Sequence, residues 1–95
     1  MNNKVKFGIY IANHGITGNP QDYIKLAKRG EECGWDGFFL WDHVFLPWAP
    51  DQDVLDPWII LSAIATQTDE ITIGTTVTPL ARRRPMMIAR EAITI

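Results

Sequence analysis

Gly37-Phe38-Phe39-Leu40-Trp41-Asp42-His43 is the stretch whose reading decides the fold. Residues 37–41 are apolar at successive positions. A strand with one wet face alternates apolar and polar residues, whereas a parallel strand covered on both sides does not. The segment therefore reads as a buried parallel strand. It runs directly into two side chains that can carry chemistry, Asp42 and His43.

Upstream, Val5–Ala12 is rich in β-branched and aromatic residues and stops at Asn13-His14-Gly15, a turn-forming cluster. This is the first expected strand. Asn19-Pro20-Gln21-Asp22 then announces a helix, with Asn19 as cap, Pro20 in the first turn and Asp22 at the positive end. Tyr23, Leu26, Ala27, Gly30 and Cys33 recur at helical spacing, and Gly34 suits the left-handed position that ends a helix.

Downstream, a loop rich in aromatics and prolines runs from Val44 through Pro50 to Val54-Leu55. Connections of that length are uncommon in compact folds and are more often functional. Asp56-Pro57 repeats the cap-and-proline device, and Trp58–Thr68 reads as the second helix, with Trp58, Leu61, Ile64 and Ala65 inward. Ile71–Thr78 is the third strand. Pro85 opens a third helix with a stripe of Ile88, Ala89, Ala92 and Ile95, and Met86 and Met87 read as core filling.

The order is thus β-α-β-α-β-α. Consecutive βαβ units covered on both faces lead to a doubly wound sheet or a barrel. Neither a Gly-x-Gly-x-x-Gly turn nor a phosphate-binding Gly-Lys loop follows the first strand, which favours the barrel. A closed barrel needs roughly 250 residues, and the chain has 95. The expectation is α/β: the N-terminal three βα units of a (β/α)8 barrel with parallel strands. Residues 1–95 would form one partial barrel domain, interrupted within helix three.

Composition excludes several classes. A formal charge of -2 offers no attraction to nucleic acid or an acidic membrane, and no apolar run approaches a membrane span. The single cysteine, Cys33, can form neither an internal disulfide nor a cysteine metal cage. Met1-Asn2-Asn3-Lys4 leads straight into the first strand without a signal-peptide apolar region, so a cytoplasmic protein is expected.

In parallel α/β folds, function gathers where strands end. His14, Asp42-His43 and Thr75–Pro79 should therefore share one rim. His43 suits a general acid or base, or else sits hydrogen-bonded in a turn. Asp42 can orient His43, bind a polar ligand group, or accept loop N–H bonds. Trp41, Trp48 and Phe45 can shape a pocket for a flat ring, with Trp41 equally placed to be core. Gly74–Thr78 allows close approach of a ligand to backbone. Arg82, Arg83 and Arg84 can hold an anion near the start of the third helix, but such a run is more often a solvated loop, and that reading is preferred. No His-x-His or Glu-x-x-His spacing supports a metal, so no metal ligands are assigned.

Four segments in series are similar to the luciferase-like superfamily of flavin- and deazaflavin-dependent oxidoreductases: Val5–Ile11, Gly34–His43, Ile73–Leu80 and Arg84–Glu91. The resemblance implies a (β/α)8 barrel holding FMN or a deazaflavin coenzyme at the carboxyl ends of the strands, acting on a small-molecule substrate. It implies His43 as the catalytic proton-handling residue and Asp42, Thr76 and Val77 as cofactor contacts; Thr75 at the strand end joins those contacts, and His14 on the rim and Trp48 in the aromatic loop are assigned to the substrate pocket. It further implies a cis peptide between Thr76 and Val77. A homo-oligomer is compatible with these readings. Val44-Phe45-Leu46 lacks the second histidine that some flavin monooxygenases carry, which leans toward the deazaflavin branch. Two alternatives stay open: a non-catalytic fragment or interaction module, and a metal-dependent hydrolase barrel retained only for its histidines.

Overall fold

The computed structural model describes residues 4–14 and 18–95. Met1, Asn2, Asn3 and the expected turn residue Gly15 lie outside the described residues. Three strands, β1 (Gly8–Ile11), β2 (Gly37–Leu40) and β3 (Thr72–Thr75), alternate with helices α1 (Pro20–Glu32), α2 (Pro57–Ala65) and α3 (Pro85–Thr94). A 3-10 turn, Leu80–Arg82, precedes α3. The sheet runs β1-β2-β3, parallel throughout, with Gly8 opposite Gly37 and Gly37 opposite Thr72. Strand order follows chain order with no switch point, as in a barrel wall and unlike the reversed order of a doubly wound sheet.

The two apolar faces of β2 separate as expected for side chains of period two. Phe38 and Leu40 are fully buried with Tyr23 and Ala27 of α1, Ile60, Leu61 and Ile64 of α2, and Ile71. Phe39 points to the other face, where its ring folds back over Gly37. A Cβ on Gly37 would lie 2.5 Å from the Phe39 ring, so a larger residue there would push the ring aside.

Both main helices begin as their sequences direct. The Asn19 side chain accepts from the Gln21 N–H at 3.0 Å, and the Asp56 side chain accepts from the Trp58 N–H at 2.9 Å, with proline next in each case. Beyond Cys33, Gly34 takes φ +89°, a conformation other residues adopt only with strain.

Several expectations need correction. The buried stripe of α1 is Tyr23, Ala27 and Gly30, whereas Leu26 and Cys33 are exposed. Strand β1 is shorter than Val5–Ala12 because the Phe7 N–H turns to the Asp36 carboxylate at 2.9 Å rather than to a ladder carbonyl. Helix α2 stops at Ala65, where the Thr66 and Thr68 hydroxyls take the carbonyls of Ala63 and Ile64. Ile60 joins the expected Leu61 and Ile64 in the core, with Trp58 packed half-buried against it and Ala65 half-buried. Strand β3 ends at Thr75, and the Thr75 and Thr78 hydroxyls bond each other at 2.6 Å as the chain bends. Helix α3 buries no residue. Met86 is 74% exposed and Met87 is exposed too, Met87 lining an open hollow with Trp58, Ile59 and Ser62 of α2.

Helix α1 is also tied to the entry of β3. A single oxygen of Glu31, Oε2, accepts the backbone N–H groups of Asp69, Glu70 and Ile71 at 2.6–2.9 Å. Among the described residues, no helix is long and apolar enough to cross a membrane.

Candidate functional site

The carboxyl ends of the three strands carry the chemistry-bearing residues. His14 follows β1, Asp42-His43 follows β2, and Thr75 through Thr78 closes β3. Tertiary structure converts the first two into an aromatic cluster. The His43 ring lies 5.1 Å from Trp41, 6.0 Å from His14 and 6.0 Å from Trp48, centroid to centroid. Trp41 also meets Tyr10 and His14 at 5.6 Å. It is half-buried and joins this rim cluster, not the core below it.

Three nitrogens of this cluster, His14 Nε2, Trp41 Nε1 and His43 Nδ1, are shielded from solvent with no hydrogen-bond partner. Shielded polar atoms of folded proteins are nearly always paired, so three in one cluster mark polar capacity left for a ligand. His14 Nδ1 faces Gln52 Oε1 at 3.2 Å, which suits the tautomer with the proton on Nδ1 and leaves Nε2 as an acceptor.

Asn13 anchors the cluster. It is fully buried, and its Nδ2 donates to the carbonyls of His43 and Leu55 at 2.9 and 2.8 Å. Its Oδ1 accepts the His43 N–H at 3.3 Å. One side chain thus joins the end of β1, the end of β2 and the segment entering α2. The Leu55 N–H donates to the Asn13 carbonyl at 2.9 Å, and His14 forms an antiparallel bridge with Val54. The long loop is held at both ends, and Leu46 is buried beneath it while Val44, Phe45 and Trp48 stay exposed.

Asp42 departs most from expectation. Its side chain is 1% exposed and does not meet the His43 ring. Arg83 grips it with a two-pronged fork, Nε to Oδ2 at 2.9 Å and Nη2 to Oδ1 at 2.8 Å. Arg82 Nη2 adds a bond to Oδ1 at 3.0 Å, and the Thr78 hydroxyl adds one to Oδ2 at 3.1 Å. A carboxylate has about four acceptor positions, and these donors fill them. Asp42 therefore has none left to orient His43. The arginine pair, expected as a solvated loop, is the reason. The hydrogen bonds that Arg83 donates to Asp42 hold its guanidinium above its ordinary pKa.

The segment after β3 places Thr75 half-buried and Thr76 and Val77 exposed beside this rim. The Thr76–Val77 peptide is cis, as the family resemblance implies. Asn13, Gln52, Thr78, Arg82 and Arg83 were not singled out as site residues by sequence. The signals in the sequence were the adjacency of Asn13 to His14, the place of Thr78 at the end of the third strand, and the run of arginines before the third helix. No group of three or more histidine, cysteine, aspartate or glutamate side chains fit to hold a metal occurs among the described residues.

The model of the family described as luciferase-like monooxygenase matches residues 5–95. The chain belongs to that family. Among curated proteins, this luciferase-like chain is 38% identical over 79 residues to an F420-dependent glucose-6-phosphate dehydrogenase of Amycolatopsis mediterranei, covering 80% of the chain and 23% of the relative. A protein of the same description from Nakamurella multipartita is 35% identical over 80 residues, with the same coverage. Among solved structures, an F420-dependent secondary alcohol dehydrogenase in complex with an F420-acetone adduct superposes with TM-score 0.77 at 27% identity, over 93% of this chain and 26% of that one. The luciferase-like chain spans about a quarter of the length of these relatives. Its three parallel βα units belong to the (β/α)8 barrel type.

Proposed function

We propose that this chain forms the cofactor-facing part of a deazaflavin-dependent dehydrogenase that exchanges hydride with a small substrate at a hydroxyl-bearing carbon. Residues 1–95 contribute as one partial barrel domain, and turnover belongs to the complete barrel. The observation that carries the reading is the cluster of His14, Trp41, His43 and Trp48 beside the Thr75–Thr78 segment, with three ring nitrogens unpaired. The relatives' names support it, since both descriptions are of F420-dependent dehydrogenases acting on a hydroxyl-bearing compound.

The residues present fit such a group. Indole faces suit a flat heteroaromatic ring, and unpaired nitrogens suit its polar edge or a substrate hydroxyl. Thr75, Thr76 and Val77 would support the ring, while His14 and Trp48 would line the substrate side. A bound deazaflavin supplies the hydride acceptor. His43 takes the proton of the substrate hydroxyl as its carbon is oxidised, and returns it in the reverse direction. Asp42, with its acceptors filled, serves by holding the end of β2.

The test is a titration of the complete protein with oxidised deazaflavin and with FMN, followed by cofactor fluorescence and then by bleaching on addition of glucose 6-phosphate or a secondary alcohol. Binding of deazaflavin in preference to FMN, and bleaching only with a hydroxyl substrate, is the expected result. Preference for FMN with oxygen uptake would place the protein in the oxygenase branch instead.

A further inference from the structure

We propose that Arg82 and Arg83 are positioning residues, setting the place of the His43 imidazole through the Asp42 carboxylate. The proposal rests on the functional reading only in taking His43 as the acting group.

His43 has no side-chain hydrogen bond at Nδ1, so its ring is placed by the backbone on which it hangs and by the rings around it. That backbone is pinned at two points. Asn13 holds the N–H and carbonyl of His43 itself. Asp42, the residue before, is held by the arginines at its carboxylate, and Arg82 also donates to its backbone carbonyl. The Asn13 pin comes from β1. The arginine pin comes from the connection between β3 and α3.

The arginine pin also joins His43 to the end of β3. Asp42 can only accept, so the Thr78 hydroxyl must spend its one proton on it. The Thr75 hydroxyl, 2.6 Å away, must then donate to Thr78, as does the Trp58 indole at 3.0 Å. Arg83 further reaches Asp56, the cap of α2, at 4.0 Å. The ends of β2 and β3 and the start of α2 thus share one bonded centre. A bidentate arginine fork fixes orientation as well as distance, which a lysine cannot do. Two arginines of a solvated loop would have no reason to converge on a carboxylate that is 1% exposed.

The readout is the NMR signal of the His43 ring carbon and proton between its two nitrogens, in the complete protein without cofactor. Trp41 and Trp48 impose ring-current shifts on it, so it reports small displacements of the imidazole. Arg83→Gln is expected to move the signal by more than its linewidth. Arg83→Lys should leave it displaced, because charge without the fork is not enough. Dilute guanidinium should return it toward its original place in Arg83→Ala, and Arg84→Gln should leave it unmoved. If Arg83→Gln loses its helical circular dichroism, Thr78→Val removes one of the four donors without changing charge, and the same displacement is expected. An unmoved signal in a folded clamp variant overturns the proposal. An equal displacement in Arg84→Gln also overturns it, by marking a general charge effect. Failure of deazaflavin binding would count against the functional reading alone, since no cofactor enters this measurement.

Discussion

His43 sits among three aromatic rings with Nδ1 shielded and unpartnered. In the complete enzyme, His43→Ala should lower turnover by ~10²–10⁴-fold, the usual contribution of a general acid or base. The deazaflavin dissociation constant should change far less, because one imidazole is a small part of the ring's surroundings. Steady-state kinetics beside a fluorescence titration separates the two, and equal losses would recast His43 as a binding residue. Asn13 makes a different kind of contribution. Asn13→Ala strands the His43 N–H and leaves the His43 and Leu55 carbonyls without a donor in a part-buried place. Leaving such groups unpaired costs about 1–3 kcal/mol, and a urea denaturation curve should show a drop of that size.

At the scale of elements, Glu31 joins the last turn of α1 to the residues entering β3. The N–H bonds from Ile71 and Glu70 hold its carboxyl below the ordinary value of 4.5. A carboxyl whose pKa is lowered by folding stabilises the fold fully above its unfolded value. That contribution disappears as pH falls through the folded value. The chain should therefore lose stability on the acid side of 4.5, and Glu31→Gln should be less stable at neutral pH with a flatter acid limb. Urea midpoints measured across that range check this. Parallel midpoint curves for the two proteins would remove Glu31 from the acid response.

At the scale of the whole molecule, β1 and β3 are both edges of the described sheet, and α3 buries nothing. Val77, Leu80, Met86 and Ile93 are all exposed. Three strands leave the ring site open to water, and small parallel sheets bury little surface. The 95-residue chain should therefore bind deazaflavin or FMN more weakly than micromolar and show little or no turnover. Fluorescence quenching measures this directly, and micromolar binding by the chain would overturn it.

The sequence by itself determined the order of elements, the caps at Asn19 and Asp56, the helix stop at Gly34 and the rim on which His14 and His43 lie. These follow from local rules of periodicity, capping and backbone conformation, which act within a few residues. Only the tertiary structure decided what Asp42 does, because its partners stand 36 to 41 positions away in the chain. The same holds for Asn13, which reads locally as a turn residue but bonds across 30 and 42 positions. Met86 and Met87 show the converse. Their apolar character suits a core, yet both are exposed, because burial depends on what the rest of the fold packs against them.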